Sequence, residues 1–238
     1  MTIAVAVMAK APRVGEVKTR LVPPLSPAEA ASLGAAFIQD IAANILEAAR
    51  AAPIAAYVAY APMDTEALFR RLLPDAVSLL PSRRPGLAAS LLDAITDLLA
   101  ADYDGVCLVN ADSPTLPTRL LVDASVRLGR PGDRAIFGPA EDGGYYLIGL
   151  KQSHRRLFED IDWSTERVLR QSLDRAAELG LETDLLPPWY DVDDIASLDR
   201  LRVELQHGGA GCGQFAAPHT AACLRQMAEP ERAPAEDA

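Results

Sequence analysis

The sequence predicts an α/β protein of three layers, an α/β/α sandwich in which helices cover both faces of a mostly parallel, Rossmann-like sheet. Short runs of β-branched and other apolar residues alternate with longer stretches of helical periodicity over about 200 residues. Several of the short runs are almost wholly apolar, such as TIAVAVM at residues 2–8, in which every residue after Thr2 is apolar. Uninterrupted apolar runs of this length are typical of strands that are buried on both faces of a parallel sheet.

The predicted elements follow one another in a regular order along the chain. The predicted strands are residues 2–8, 54–60, 76–80, 105–109, 134–138, 145–150 and 181–186. The predicted helices are residues 26 to about 50, 64–73, 87–101, 117–128, 164 to about 179 and 195–205. The first helix has a clear start, because Ser26, Pro27 and Glu29 match an N-cap, a first-turn proline and the partner in a capping box.

Length and composition limit the classes of protein that the chain can belong to. Its 238 residues are enough for one sizeable core, so we expect one nucleotide-binding domain at 1–206 and an extension at 207–238 that docks to about 227 and is disordered beyond. A net charge of −10 argues against binding a nucleic-acid polymer. No apolar run is long enough to span a membrane, and we expect no signal peptide. Three cysteines without a CxxC pair fit a reducing cytoplasm.

The segment after the first predicted strand, Lys10 to Leu21, is basic in an acidic chain. Lys10, Arg13, Lys18 and Arg20 lie close together there, against the single carboxylate of Glu16. Ligands of open parallel sheets bind beyond the carboxyl ends of the strands, and Gly15 permits a tight backbone curve at that point. We therefore expect this loop to bind the phosphates of a nucleotide; a solvated basic loop is the alternative.

Carboxylates follow two further predicted elements. Asp112 comes just after the buried strand 105–109, where a hard cation such as Mg²⁺ could join it to nucleotide phosphates; a turn or cap residue is the alternative. Asp191, Asp193 and Asp194 precede the last predicted helix. Acids stabilise a helix start, but three in four residues exceed that need, which favours a second ligand for the cation.

The segment at 138–149 combines acids with paired glycines. Asp142 followed by Gly143 is a strong signal for the turn of a β-hairpin. Gly143 and Gly144 also allow a ligand to approach the backbone, and Glu141 and Asp142 are candidates for sugar contacts or for base catalysis. Trp163 could stack on a ligand, although a core position is favoured.

Together these segments resemble one protein family. The segments are KAPRVGEVKTRL, NADSPTLP, GPAEDGGYYLIGL, FEDIDWST, DVDDIASL and APHTAACL. They are similar to domain-of-unknown-function family 2064 of the glycosyltransferase-A superfamily, and the resemblance extends over about residues 3 to 227. It implies the nucleotide-diphospho-sugar transferase fold, which small-molecule guanylyltransferases share.

The resemblance also implies roles for individual residues. It implies phosphate contacts for Lys10, Lys18 and Arg20, metal binding for Asp112 and for Asp193 or Asp191, a nucleobase loop around Gly86, and Asn110 in place of the first acid of a DxD motif. Mg²⁺ or Mn²⁺ is the implied cation. The Gly-rich pyrophosphorylase fingerprint and a literal DxD are absent from the sequence, which leaves the type of reaction open.

Three functions follow as hypotheses. The first is a glycosyltransferase that uses a nucleotide sugar, with Asp142 or Glu141 as the base toward a small-molecule acceptor and Lys18 as a further catalytic group. The second is a nucleotidyltransferase that joins an NTP to a phosphorylated small molecule and releases pyrophosphate. The third is a non-catalytic nucleotide-binding protein. A monomer and a homodimer are both compatible with the sequence.

Overall fold

A computed structural model of the chain describes residues 1–206 and 213–228, which contain one seven-stranded sheet. The strands are β1 (Ile3–Lys10), β2 (Ile54–Ala61), β3 (Ser78–Pro81), β4 (Gly105–Val109), β5 (Arg134–Pro139), β6 (Tyr145–Leu150) and β7 (Glu182–Leu185). Their order in the sheet is β3-β2-β1-β4-β6-β5-β7. The predicted mostly parallel α/β fold is confirmed, and every predicted strand has a counterpart.

The direction of the strands decides where a ligand can bind. Strands β1 to β4 are parallel, β6 is antiparallel to both β4 and β5, and β5 is parallel to β7. Within the described residues, six strands therefore end at one edge of the sheet, and β6 begins there. The turn between β5 and β6 lies at that same edge, as the predicted hairpin requires.

Seven α-helices are assigned in the described part of the chain. They are α1 (Pro27–Ala48), α2 (Glu66–Leu72), α3 (Leu87–Ala100), α4 (Thr118–Leu128), α5 (Val168–Glu178), α6 (Ile195–Gln206) and α7 (Pro218–Ala228). The capping box of α1 forms as predicted: Ser26 Oγ accepts the amide of Glu29 at 3.2 Å, and Glu29 Oε2 accepts the amide of Ser26 at 2.7 Å.

The start of α5 differs from the prediction. Ser164 has φ +63 and caps nothing, and the helix begins four residues later at Val168. Thr165 shapes this entry, because its hydroxyl donates to the carbonyl oxygen of Asp162 at 2.7 Å. The N-cap of an α-helix ordinarily has an extended backbone, as Ser26 has before α1, whereas Ser164 is left-handed and the segment turns first. The turn brings residues 163–166 to the ligand edge of the sheet instead of into a helix.

The core lies in two layers on opposite faces of the sheet. Ile3, Val5 and Val7 of β1 pack with α1, α2 and α4 on one face. Ala4 and Ala6 pack with α3 and α5 on the other face. Both sets are buried, which explains why β1 is apolar without alternation and confirms the three layers.

Helices α6 and α7 form a smaller cluster against α1. Phe37, Leu198 and Leu201 are buried there, and Cys223 and Leu224 of α7 pack against them. Asp40 of α1 is fully buried and accepts the amides of His219 and Thr220 at the start of α7. The predicted division at residue 206 stays a prediction, and the predicted disorder at the C-terminus falls on residues outside those described.

No helix in residues 1–206 or 213–228 has both the length and the apolar character that a membrane crossing needs.

Candidate functional site

A cleft of about 720 Å³ opens at the edge of the sheet where six described strands end. Its walls come from the basic segment after β1, the segment after β4, the β5–β6 turn, residues 163–166 and the segment before α6. These include most of the segments in which the sequence places candidate residues. The topology therefore gathers them into one volume, large enough for a nucleotide-sized ligand.

Lys18 is the centre of the polar part of the cleft. Its Nζ lies 2.6 Å from Asp112 Oδ1 and 3.0 Å from Asp193 Oδ1, and it donates to the carbonyl oxygen of Val192 at 2.6 Å. Its side chain is 8% exposed, and the ammonium stands 5.1 Å from the ring centre of Phe37. Lys18 itself has φ +50, a conformation that a lysine adopts only where the surrounding structure holds it.

The two carboxylates keep this lysine charged. Burial acts to lower the pKa of Lys18, but the charges of Asp112 and Asp193 outweigh it and raise the pKa above its ordinary value. Asp191 has no such cation beside it. Burial, together with the charges of Asp142, Asp193 and Asp112, raises the pKa of Asp191 from 3.8 to about 6. Four carboxylates therefore lie near one another in the cleft, and the Lys18 ammonium pairs with two of them, Asp112 and Asp193.

The rest of the basic segment divides into residues that face the cleft and residues that do not. Lys10 and Arg20 line it, and Lys10 Nζ donates to the carbonyl oxygen of Glu16 at 2.8 Å. Arg13 does not line it, because its guanidinium pairs with Asp64 at 3.1 Å. Gly15 lies at the outer bend of the loop with φ +78, and a first side-chain carbon added there would have no atom within 4 Å. Lys10, Lys18 and Arg20 are therefore the basic residues of this segment that line the cleft.

The β5–β6 turn contributes one of its two acidic side chains to the lining of the cleft. Asp142 lines the cleft and accepts the amide of Gly144 at 2.8 Å. Glu141 does not line it, since its carboxylate pairs with Arg200 of α6 at 2.7 Å. Gly143 is needed for packing, because a first side-chain carbon there would stand 2.2 Å from the carbonyl oxygen of Glu166. Of the two predicted bases, only Asp142 is positioned to meet a ligand in the cleft.

Two predicted site residues remain, Asn110 and Gly86, and only Asn110 lines the cleft. Asn110 lines the cleft, and its Oδ1 accepts the amide of Asp112 at 3.3 Å, which helps to shape the turn after β4. Gly86 precedes α3 with φ +91 and does not line the cleft; its neighbour Leu87 does. The loop before Gly86 is fixed to α3 by Arg83, which donates twice to Asp97 at 2.6 and 2.7 Å.

Several cleft residues were missed by sequence reasoning or assigned to the core. Tyr145, Trp163 and Glu166 line the cleft, with the rings of Tyr145 and Trp163 edge-to-face at 6.5 Å. Tyr145 could have been found, because it is the first residue of the one strand that begins at the ligand edge in the described sheet. Glu166 carried no signal, since it sits in what reads as the first turn of a helix.

The donor atoms fit a divalent cation that a phosphate helps to hold. Two carboxylates and one carbonyl oxygen converge on a single point, which Lys18 Nζ occupies. No group of three or more His, Cys, Asp or Glu side chains suited to a metal occurs in the described ranges 1–206 and 213–228. Mg²⁺ is commonly bound by one or two carboxylates, with phosphates and water completing its shell. Asp112 and Asp193 are the residues that suit this mode, with Asp191 nearby.

Comparisons with solved structures agree with this geometry. A candidate nucleotide-diphospho-sugar transferase from Desulfovibrio desulfuricans G20 is 27% identical, with a TM-score of 0.82, and the match covers 95% of each chain. A CMP:2-keto-3-deoxy-manno-octonic acid synthetase in complex with CTP is 12% identical, with a TM-score of 0.56 over 87% of this chain and 99% of that one. An inositol-1-phosphate CTP transferase from T. maritima is 13% identical, with a TM-score of 0.51 over 87% and 95%.

The last two similarities concern the fold alone. The predicted nucleotide-diphospho-sugar transferase fold is confirmed, and the predicted class of enzyme, a transferase, agrees with the relative that is 27% identical. No curated protein is similar enough to the sequence to count as a match. The model of one family, described as an uncharacterized protein conserved in bacteria, matches residues 44–165, just over half of the chain. The chain therefore belongs to domain-of-unknown-function family 2064.

Proposed function

We propose that this chain is a metal-dependent transferase that uses a nucleotide-activated donor, and that the donor is a nucleotide sugar. One observation carries the proposal: Asp112, Asp193 and Lys18 meet within 3.0 Å at the ligand edge of the sheet, in a cleft that Lys10 and Arg20 also line. Oxygen donors for a hard cation and cations for phosphates thus lie side by side, as a bound diphosphate requires. The 27% identical relative, described as a candidate nucleotide-diphospho-sugar transferase, supports the same class.

In this mechanism Asp112 and Asp193 would hold Mg²⁺ or Mn²⁺, with Asp191 close by. The ion supplies neutralisation of the negative charge that develops on the leaving diphosphate. Lys10 and Arg20, which line the same cleft, bind the phosphate oxygens and orient the donor. Asp142, which is exposed at the turn and lines the cleft, takes the proton from the acceptor hydroxyl. Trp163 and Tyr145 supply an aromatic wall of the same cleft.

The cations that line the cleft suit the phosphates of a nucleotide-activated donor. The sequence places four basic residues in the segment after β1, but Arg13 is paired with Asp64 outside the cleft. Lys18 is already between two carboxylates. Lys10 and Arg20 remain in the lining of the cleft, where they can meet the phosphate oxygens of a donor.

Nucleotidyl transfer is the second candidate. The two fold relatives that act on or bind CTP support it, although they share only the fold with this chain. In that reaction Asp112 and Asp193 would hold the same divalent cation, Lys10 and Arg20 would bind the NTP phosphates, and a phosphorylated small molecule would attack the α-phosphate and release pyrophosphate.

A thermal-shift screen with Mn²⁺ tests the proposal. Nucleotide sugars should raise Tm more than the matching NTPs, and Asp112→Asn should abolish the shift. Asp75→Asn is the matched control, because it removes the same charge from an exposed turn before β3 at the opposite edge of the sheet. Stabilisation by NTPs alone would overturn the sugar donor, and no shift with any nucleotide would overturn a nucleotide-activated donor altogether.

The products then separate the two reactions. Glycosyl transfer releases a nucleoside diphosphate, whereas nucleotidyl transfer releases pyrophosphate. Incubation of the wild-type chain with a stabilising donor and candidate acceptors, followed by anion-exchange separation of the products, identifies which of the two forms. Pyrophosphate as the released product would overturn the proposed glycosyl transfer.

A further inference from the structure

Three oxygen atoms from two distant segments converge on one nitrogen. Lys18 Nζ has Asp112 Oδ1 at 2.6 Å, Val192 O at 2.6 Å and Asp193 Oδ1 at 3.0 Å. The three oxygens surround the ammonium on the protein side, and the lysine side chain is 8% exposed. This arrangement is that of a cation bound in an oxygen-lined site, and here the cation belongs to the chain itself.

A divalent ion and this ammonium cannot occupy the site together. Mg²⁺ and Mn²⁺ bind carboxylate oxygens at about 2.0–2.2 Å, closer than an ammonium does, so an ion shared by Asp112 and Asp193 would stand where Lys18 Nζ now is. The two positive charges would also repel each other at van der Waals distance. Either the lysine leaves or the ion stays out.

We propose that Lys18 is an exchangeable internal cation: its ammonium neutralises Asp112 and Asp193 in the ligand-free protein and gives up their oxygens to the divalent ion when that ion binds. This inference rests on the proposed function for the identity of the ion. It adds that the metal site is closed by default and opens by the movement of one side chain. Lys18 is therefore a positioning residue for the metal as well as a cation of the cleft.

The exchange couples binding of the ion to binding of the nucleotide. A displaced ammonium needs a new anionic partner, since leaving a buried charge unpaired is strongly unfavourable. The phosphates of a donor lying between Lys10, Arg20 and the ion supply that partner. Ion and nucleotide should therefore bind more tightly together than separately, by the same factor whichever binds first. Without a nucleotide the lysine competes with the ion.

If Lys18 competes with the ion, removal of its ammonium should increase the affinity for the ion. Lys18→Met removes the ammonium and leaves the oxygens, so the nucleotide-free variant should bind Mn²⁺ about tenfold more tightly than wild type, measured as free Mn²⁺ by electron paramagnetic resonance. Lys10→Met is the matched control. It removes an equal charge from the same cleft, but Lys10 Nζ bonds to the Glu16 carbonyl and not to these carboxylates, so its effect should stay within about twofold. Equal Mn²⁺ affinities of the two variants would overturn the proposal.

A second measurement uses the wild-type chain and does not depend on whether Lys18→Met folds. The sequence contains three lysines, Lys10, Lys18 and Lys151, so an amine-acylating reagent followed by mass spectrometry reports on each one separately. Lys18 should react slowly without a divalent ion and severalfold faster at saturating Mn²⁺. Lys151, which donates to the Arg130 carbonyl, should not change. Bound Mn²⁺ with Lys18 still protected would overturn the exchange.

The outcomes separate this inference from the proposed function. Both measurements are made without nucleotide or acceptor, so an exchange can be observed even if no transferase activity is found. Conversely, a nucleotide sugar can be turned over while Mn²⁺ affinity is unaffected by Lys18→Met, in which case the proposed function stands and the exchange does not. If Mn²⁺ binds neither the wild type nor Lys18→Met, the proposed exchange is overturned directly.

Discussion

Gly143 lies directly against the backbone of Glu166. A first side-chain carbon at position 143 would stand 2.2 Å from the Glu166 carbonyl oxygen, and the Gly143 carbonyl accepts the amide of Leu169 at 3.0 Å. Two walls of the cleft, the β5–β6 turn and the segment before α5, are thereby held in fixed relation. Asp142 and Glu166 face the ligand volume from these two walls.

Gly143→Ala should therefore be strongly destabilising. The added methyl group meets backbone that cannot move aside, and φ +89 is unfavourable for alanine, so we expect a loss of about 2–4 kcal/mol in the free energy of unfolding. Urea denaturation measures it. Gly180→Ala is the control, because Gly180 also has a positive φ of +65 but open space around it, and should lose only about 1 kcal/mol. Similar losses for both variants would contradict the close contact.

Asp191→Asn should make the protein more stable at neutral pH. Burial and neighbouring carboxylates raise the pKa of Asp191 from 3.8 to about 6, so between these values the folded protein holds a proton that the unfolded chain has lost. The free energy of unfolding therefore falls as pH rises through that window, and the full cost is present above about pH 6. The variant avoids this cost, by about 1–2 kcal/mol after allowance for solvent screening.

Unfolding in urea at pH 4 and pH 7 tests the effect of Asp191. The variant and the wild type should have nearly equal stability at pH 4 and differ at pH 7. Asp75→Asn, at an exposed turn, should show no such dependence on pH. A stability difference between Asp191→Asn and wild type that is the same at both pH values would show that the carboxyl of Asp191 titrates normally.

Arg20 and Arg13 should differ in their contribution to nucleotide affinity. Arg20 lines the cleft, whereas Arg13 is paired with Asp64 away from it. Arg20→Gln should weaken binding of the stabilising nucleotide by about tenfold, as loss of one charge-assisted contact to phosphate would, and Arg13→Gln by no more than about twofold. Isothermal titration calorimetry in the presence of Mn²⁺ measures both. Equal losses of nucleotide affinity in the two variants would mean that Arg13 and Arg20 act through long-range electrostatic attraction and that Arg20 makes no direct contact with phosphate.

Asp40 should hold α7 on the domain. Its carboxylate accepts the amides of His219 at 3.0 Å and Thr220 at 2.7 Å, so it caps a helix that belongs to a distant part of the chain. Asp40→Ala leaves both amides without a partner and should cost about 1–3 kcal/mol. Hydrogen exchange of residues 218–228 should accelerate more than that of β1. Asp40→Asn keeps one acceptor and should have a smaller effect; unchanged exchange in Asp40→Ala would exclude the cap.

Local signals in the sequence were sufficient for most of the fold. The bounds of β4 and β6 agree with prediction, because each is a short apolar run between turn residues. The start of α1 follows from Ser26 and Glu29, whose two hydrogen bonds join neighbours three residues apart. The predicted N-cap at Ser164 was wrong, because the residue type suits an N-cap but the backbone of Ser164 is left-handed and α5 begins only at Val168.

The candidate site could be predicted only as a set of segments. Which charged residues pair is decided by distances across the fold, and the sequence offers many equivalent partners. Arg13 meets Asp64 from 51 residues away, and Arg200 meets Glu141 from 59 residues away. Each pairing takes a predicted site residue out of the cleft. The contacts of Lys18 with Asp112 and Asp193 could not be predicted for the same reason, because they join residues that are far apart in the sequence.

The bond between Lys18 and Asp193 joins residues 175 positions apart in the chain. A growing polypeptide exposes Lys18 and its neighbours to the solvent long before Asp193 has been synthesised. The cleft therefore cannot be complete before Asp193 has been added to the chain. A ligand that requires both sides of the cleft recognises the finished protein and ignores its fragments, so ligand binding provides a direct assay of complete folding.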